Sequence, residues 1–83
     1  MNGTERVAQL IEALGKAENI VAVEPCITRL RFEVADPSKV DATKLRQPLC
    51  HGATVLGCAV QVIVGPEAEM MLDDVVAQLA ADQ

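Results

Sequence analysis

The segment Glu24-Pro25-Cys26-Ile27-Thr28-Arg29-Leu30-Arg31 places arginines three and five residues after a cysteine. A cation near a cysteine favours the thiolate over the thiol, and the thiolate is the nucleophile. Arginine adds a second capability, because its planar guanidinium grips oxygens two at a time; Thr28 and the loop amides can donate further hydrogen bonds. The chain carries seven Lys and Arg against twelve Asp and Glu, a net charge of −5, so two arginines two residues apart stand out as a local anion site. A nucleophile beside an oxyanion cradle points to transfer of an anionic group. Phosphoryl transfer, in which positioning and charge stabilisation do most of the catalysis, is the natural candidate. Each residue also has a plainer reading. A lone cysteine is most often a small buried hydrophobe, and strand arginines are most often solvated charges. Their adjacency is what favours the chemistry.

Several elements must position this segment. Val7, Leu10, Ile11 and Leu14 fall at the spacing of one helix face, which predicts a helix from Thr4 to Leu14 with Asn2 and Glu5 as a capping pair and Gly15 in the left-handed position at its end. Ile20 to Glu24 reads as a short strand stopped by Pro25. From Arg29 the pattern alternates strictly, with Leu30, Phe32 and Val34 on one face and Arg29, Arg31 and Glu33 on the other, the signature of a half-buried strand. Asp36-Pro37 marks a turn. Val40, Asp41 and Leu45 have the spacing of a hydrophobic staple around an Asp cap, predicting a short helix from Asp41 to Arg46 that Pro48 ends. Ala53 to Leu56 and Ala59 to Val64 read as strands joined by a tight Gly57-Cys58 turn. Gly65-Pro66-Glu67 opens a last helix with Ala68, Met71, Leu72, Val75, Val76 and Leu79 inward, Met70-Met71-Leu72 as core and Asp73-Asp74 on a solvated face.

The expected fold is an α/β (α+β) sandwich in the order α-β-β-α-β-β-α, a four-stranded antiparallel sheet with three helices on one face. The other face is then open. If Val60, Val62 and Val64 face the helices beside Leu30, Phe32 and Val34, Gln61 and Ile63 share the open face with Arg29 and Arg31. Gln61 is thereby a candidate phosphate ligand, although a polar outward residue needs no function.

Eighty-three residues, 51% of them hydrophobic and 23% charged, make one packed domain over residues 1–83 and exclude a disordered chain. Phe32 is the sole aromatic residue, so base-stacking platforms are missing, and the negative charge disfavours nucleic acid and anionic lipid. No apolar run approaches the roughly 20 residues of a bilayer span. The start lacks a secretory pattern, and three cysteines fit thiols in a reducing compartment, so a cytoplasmic protein is expected; a monomer is the expected state. Cys50 and Cys58 read as incidental thiols and His51 as a surface residue. A zinc site from Cys50, His51 and Cys58 lacks a fourth ligand and paired CxxC spacing. No cofactor or metal is called for, since the arginines neutralise the anion.

Asn19-Ile20, then Cys26-Ile27-Thr28-Arg29-Leu30-Arg31, Asp36, Gly57, Val60-Gln61-Val62-Ile63 and Gly65 carry a resemblance over nearly the whole chain. The sequence resembles the enzyme IIB domain of the bacterial sugar phosphotransferase system, glucose and N-acetylglucosamine branch. The resemblance implies that Cys26 takes a phosphoryl group from a histidine of an enzyme IIA partner and passes it to sugar held by a membrane enzyme IIC. It implies that the domain works at the inner face of the cell membrane through IIC. It also implies four antiparallel strands with three helices on one side. Pro25 and Glu24 depart from the small or polar residue and the Asp common in the family, and Leu49-Cys50-His51-Gly52 replaces a Gly-Ala-Lys-Gly-like loop. Two other functional classes fit the residues alone: a ferredoxin-like regulatory or ligand-binding module, and a thiol redox sensor using Cys26.

Overall fold

A computed structural model describes residues 2–81. Helix α1 spans Gly3–Ala13. Asn2 starts it by accepting the Glu5 N–H at 2.8 Å, and Glu5 answers by accepting from the Asn2 amide. The helix stops in a Schellman arrangement: Gly15 donates to Glu12 O, Lys16 donates to Ile11 O, and Gly15 takes φ +96. A Cβ at Gly15 would lie 2.6 Å from Asn19 Nδ2, so glycine is required there for space as well as for φ.

That neighbour, Asn19, is the buried polar residue of the core at 2% exposure. Its Nδ2 donates to the carbonyls of Leu14 and Asp36, and its Oδ1 accepts the Asp36 N–H at 2.9 Å. Every polar atom of the side chain is therefore partnered, which removes the usual penalty for burying an amide. The bonds tie the end of α1 to the chain leaving the second strand.

Strands β1 (Ile20–Cys26), β2 (Arg29–Val34), β3 (Gly52–Leu56) and β4 (Ala59–Ile63) form one antiparallel sheet in the order β1-β2-β4-β3, with β1 and β3 at the edges. Helix α2 spans Ala68–Ala81. Leu30, Phe32 and Val34 of β2, Val60 and Val62 of β4, and Val64 just beyond it are buried together with Val7, Leu10, Ile11, Leu14, Met71 and Val75 of the two helices and their ends. Phe32 is the largest wholly buried side chain, and truncating such a residue to alanine costs about 3–5 kcal/mol. The opposite sheet face carries the exposed residues of the alternation, so the helices cover one face, as the pattern predicts.

The expected element order needs correction. Two α-helices are present, not three, among the described residues; the stretch expected as a helix from Asp41 to Arg46 holds a single 3₁₀ turn, Ala42–Lys44, and another, Pro37–Lys39, precedes it. Asp41 does cap, accepting from Thr43 N, and Asp36 does the same for Ser38 N. Each carboxylate satisfies only a local turn, and the few residues before Pro48 do not repay the cost of nucleating an α-helix. The first strand runs through Pro25 to Cys26, because β1 is an edge strand, where proline is tolerated. Helix α2 begins at Ala68, after Pro66-Glu67, and Met70 and Val76 lie on its exposed side at 76% and 52% exposure. Helix α1 lies one residue earlier than expected at both ends, and strands β3 and β4 differ from expectation by one residue at one end.

Candidate functional site

The motif cysteine and arginines are brought together by a two-residue turn. Cys26 ends β1, Ile27-Thr28 form a two-residue turn, and Arg29 begins β2 directly opposite Cys26. Directly opposed residues of antiparallel strands point to the same face with Cα atoms roughly 4.5–5.5 Å apart. Register therefore arranges the open face in rows. The row nearest the turn holds Cys26, Arg29, Ile63 and Gly52, and the next holds Glu24, Arg31, Gln61 and Thr54. The sequence-based expectation that Arg29, Arg31, Gln61 and Ile63 share one face is met, and the register adds Cys26 to that face.

Within this face Arg29 Nη1 donates to Gln61 Oε1 at 2.9 Å, a diagonal contact between neighbouring rows. One of five guanidinium donors is used, so the group is oriented yet keeps four for an anion. Arg31 stands between Glu24 and Gln61 in its row, but Arg6 and Glu67 form the single ion pair within 4.0 Å among the described residues. Neither site arginine has a carboxylate oxygen of these residues within 4.0 Å. Cys26, Thr28, Arg29 and Arg31 are exposed, and Ile27 at the tip is 84% exposed, so the sulfur sits on a prominence that another macromolecule can reach.

Thr28 takes part in a second way. Its carbonyl accepts two N–H groups, from Val64 and Gly65, each at 3.0 Å. The turn that follows Cys26 is thus bolted to the junction between β4 and α2. Gly65 has φ +93, and a Cβ there would approach Glu67 Oε2 at 3.2 Å and His51 Nε2 at 3.5 Å. Sequence reasoning picked out Gly65 as a motif residue but did not find Arg6, which joins the same junction from α1. Its Nε donates to Leu49 O at 2.7 Å, Nη2 to Val64 O at 3.3 Å, and Nη1 reaches Glu67 at 3.2 Å. Nothing in the spacing of Arg6 announces this, since it depends on three long-range partners.

The other thiols lie elsewhere. Cys50 is buried at 1% exposure; burial pushes its thiol up, opposed by the Gly52 backbone hydrogen bond and the Arg6 charge. Cys58 is exposed in the β3–β4 turn, at the opposite end of the sheet from Cys26. His51 is exposed, with Nδ1 2.7 Å from Gln47 Nε2. Among the described residues no group of three or more His, Cys, Asp or Glu is placed to hold a metal ion.

Known proteins are similar to this chain in sequence and in fold. A family profile described as phosphotransferase system, EIIB, matches residues 8–41, which include the cysteine, the turn and both arginines. The N-acetylglucosamine-specific EIIB component of the phosphotransferase system of Streptomyces coelicolor is 39% identical over 64 residues, 77% of this chain and 83% of that protein. The chain belongs to the EIIB family. A glucoside-specific EIICBA component of Staphylococcus carnosus is 39% identical over 66 residues, 80% of this chain but 10% of that longer protein, in which the EIIB part is one segment. The fold agrees as well: the crystal structure of one domain of the IIabc component of the system from Clostridium difficile superimposes with a TM-score of 0.71 at 26% identity, covering 96% of this chain and 82% of that one. EIIB domains are phosphotransferase components, so phosphoryl transfer is the family's chemistry. No helix among the described residues is long and apolar enough to cross a membrane.

Proposed function

We propose that this EIIB domain is a phosphocysteine carrier that takes a phosphoryl group from a histidine of enzyme IIA onto Cys26 and passes it to glucose or N-acetylglucosamine held by a membrane enzyme IIC during uptake. The observation that carries the reading is an exposed cysteine directly across a two-residue turn from Arg29, with Arg31 and Gln61 in the next row of the same face. In the first step the Cys26 thiolate attacks phosphorus, an S–P bond forms, the P–N bond of phosphohistidine breaks, and the imidazole keeps the electron pair. In the second, a sugar hydroxyl oxygen attacks phosphorus, an O–P bond forms, the S–P bond breaks with its electron pair on sulfur, and the hydroxyl proton passes to water or to the departing thiolate. Arg29 and Arg31 hold the phosphoryl oxygens through both steps, Thr28 adds a hydroxyl donor, and Gln61 keeps the Arg29 fork on the face. Preorganised cations lower the barrier because charge spreads over those oxygens in the transition state.

The two named relatives support a sugar of this type, and the one that joins EIIC, EIIB and EIIA in a single protein supports IIA and IIC as donor and acceptor partners. Membrane association would come through IIC. The test is to incubate the domain with phosphoenolpyruvate, the general carrier proteins and a IIA partner, then add IIC vesicles and each sugar. The reading expects one phosphate per chain by intact mass before sugar is added, and its loss with formation of sugar phosphate afterwards. A chain that never gains phosphate from a phosphorylated IIA sinks it.

A further inference from the structure

We propose that Arg6 is a positioning residue for phosphoryl transfer, acting on the Cys26 turn through the β4–α2 junction; this rests on Cys26 being the nucleophile. The chain of contacts is continuous. Arg6 enters from the first turn of α1 and makes three bonds, to Leu49 O, Val64 O and the Glu67 carboxylate. Two of these, Val64 and Glu67, bracket Gly65. The N–H groups of Val64 and Gly65 both converge on Thr28 O, and Thr28 is separated from Cys26 by Ile27 alone. The other anchors of this turn are the β1–β2 and β2–β4 ladders, which hold Cys26 and Arg29 at their ends but do not include Ile27 or Thr28.

The chemistry suits arginine. Its guanidinium is planar, so the three acceptors fix not only the position of the junction but its tilt, and a charged donor makes stronger bonds to carbonyl oxygens than a neutral one. The Arg6 side chain is 20% exposed, so its bonds to the two carbonyls are partly shielded from competing water, while Glu67 at 45% exposure holds the outer side of the guanidinium. If the junction loosens, the two amides no longer aim at one oxygen, and the turn that presents sulfur to the incoming phosphorus gains freedom. Misplacement of a reacting atom by an ångström is costly even when the change is remote. Lysine at this position would keep the charge and one bond, and lose the tilt.

The test compares the unaltered domain with Arg6→Met and Arg6→Lys by two readouts. Amide hydrogen exchange does not depend on phosphorylation. In Arg6→Met the Val64 and Gly65 amides should exchange about tenfold faster relative to those of Leu30 and Phe32, the scale of losing one charge-assisted hydrogen bond. With IIC vesicles and sugar in excess to regenerate free Cys26, so that transfer from IIA is limiting, kcat should fall about tenfold with KM for IIA within about twofold, because the docking surface is intact and only alignment is lost. Arg6→Lys should recover part of both effects. Equal acceleration of all four amides, kcat unchanged per folded molecule, or loss of the fold in both variants would make Arg6 a general support and overturn the proposal. Absence of phosphate on the unaltered domain would instead strike the reading of Cys26, while the exchange comparison still decides whether Arg6 fixes the turn.

Discussion

At the scale of single residues, the site depends on the difference between charge and shape. Arg29 is held by Gln61 and faces Cys26 across the ladder, and Arg31 lies one row behind. Lysine at either position keeps the charge but loses the fork that can hold two oxygens while phosphorus moves between donor and acceptor. Arg29→Lys and Arg31→Lys should therefore slow sugar phosphate formation in IIC vesicles by about tenfold or more, while stability changes by no more than about 0.5 kcal/mol, as for other exposed substitutions. Transfer at the unaltered rate would reduce both arginines to solvated strand charges. The thiols should also separate by accessibility. Alkylation should reach Cys26 and Cys58 in the folded chain and leave Cys50 until unfolding, since Cys50 is buried and burial raises its thiol. Peptide mapping of the labelled sites gives the order.

At the scale of elements, the turns after β2 offer a pH signature. Asp36 and Asp41 both have carboxyls held below the usual carboxylate range, chiefly by the side-chain hydrogen bonds from Ser38 and Thr43. A carboxyl depressed by folding contributes stability above its unfolded value, and that contribution is lost as the pH falls from about 4 through the lower folded value. Asp36→Asn and Asp41→Asn keep the capping oxygen without the titration, so their urea midpoints should fall less than the unaltered domain's between pH 5 and pH 3; equal slopes would remove these caps from the acid response. These same turns mark the limit of what the sequence discloses. Asp41 reads correctly as a cap, yet a cap does not say whether one turn or three follow, and here the chain stays in 3₁₀ turns. Strict alternation in β2 and β4 discloses the open face and its arginines, because a period of two leaves one arrangement. The partner order β1-β2-β4-β3 and the seat of Arg6 rest on contacts between distant segments, which no local pattern encodes.

At the scale of the whole molecule, the fold brings Cys26, Arg29 and Arg31 to one end of the sheet and onto the uncovered face. The helices bury the other face, Asn19 locks the end of α1 to the exit of β2, and Thr28 locks the Cys26 turn to the β4–α2 junction. Gly15→Ala tests the first lock: it forces an L-residue to φ +96 and drives a methyl against Asn19, so a loss of about 1–3 kcal/mol by urea unfolding is expected, and a loss near zero would mean the junction yields freely. An exposed cysteine at a turn, with Arg29 opposite it and Arg31 in the next row, supports the proposed role of receiving a group from one macromolecule and handing it to another. The most direct measurement is intact mass after incubation with phosphorylated IIA, made in parallel on Cys26→Ser, Cys50→Ser and Cys58→Ser. The account predicts one phosphate on the Cys50 and Cys58 variants and none on Cys26→Ser, which folds normally; full phosphorylation of Cys26→Ser would contradict it.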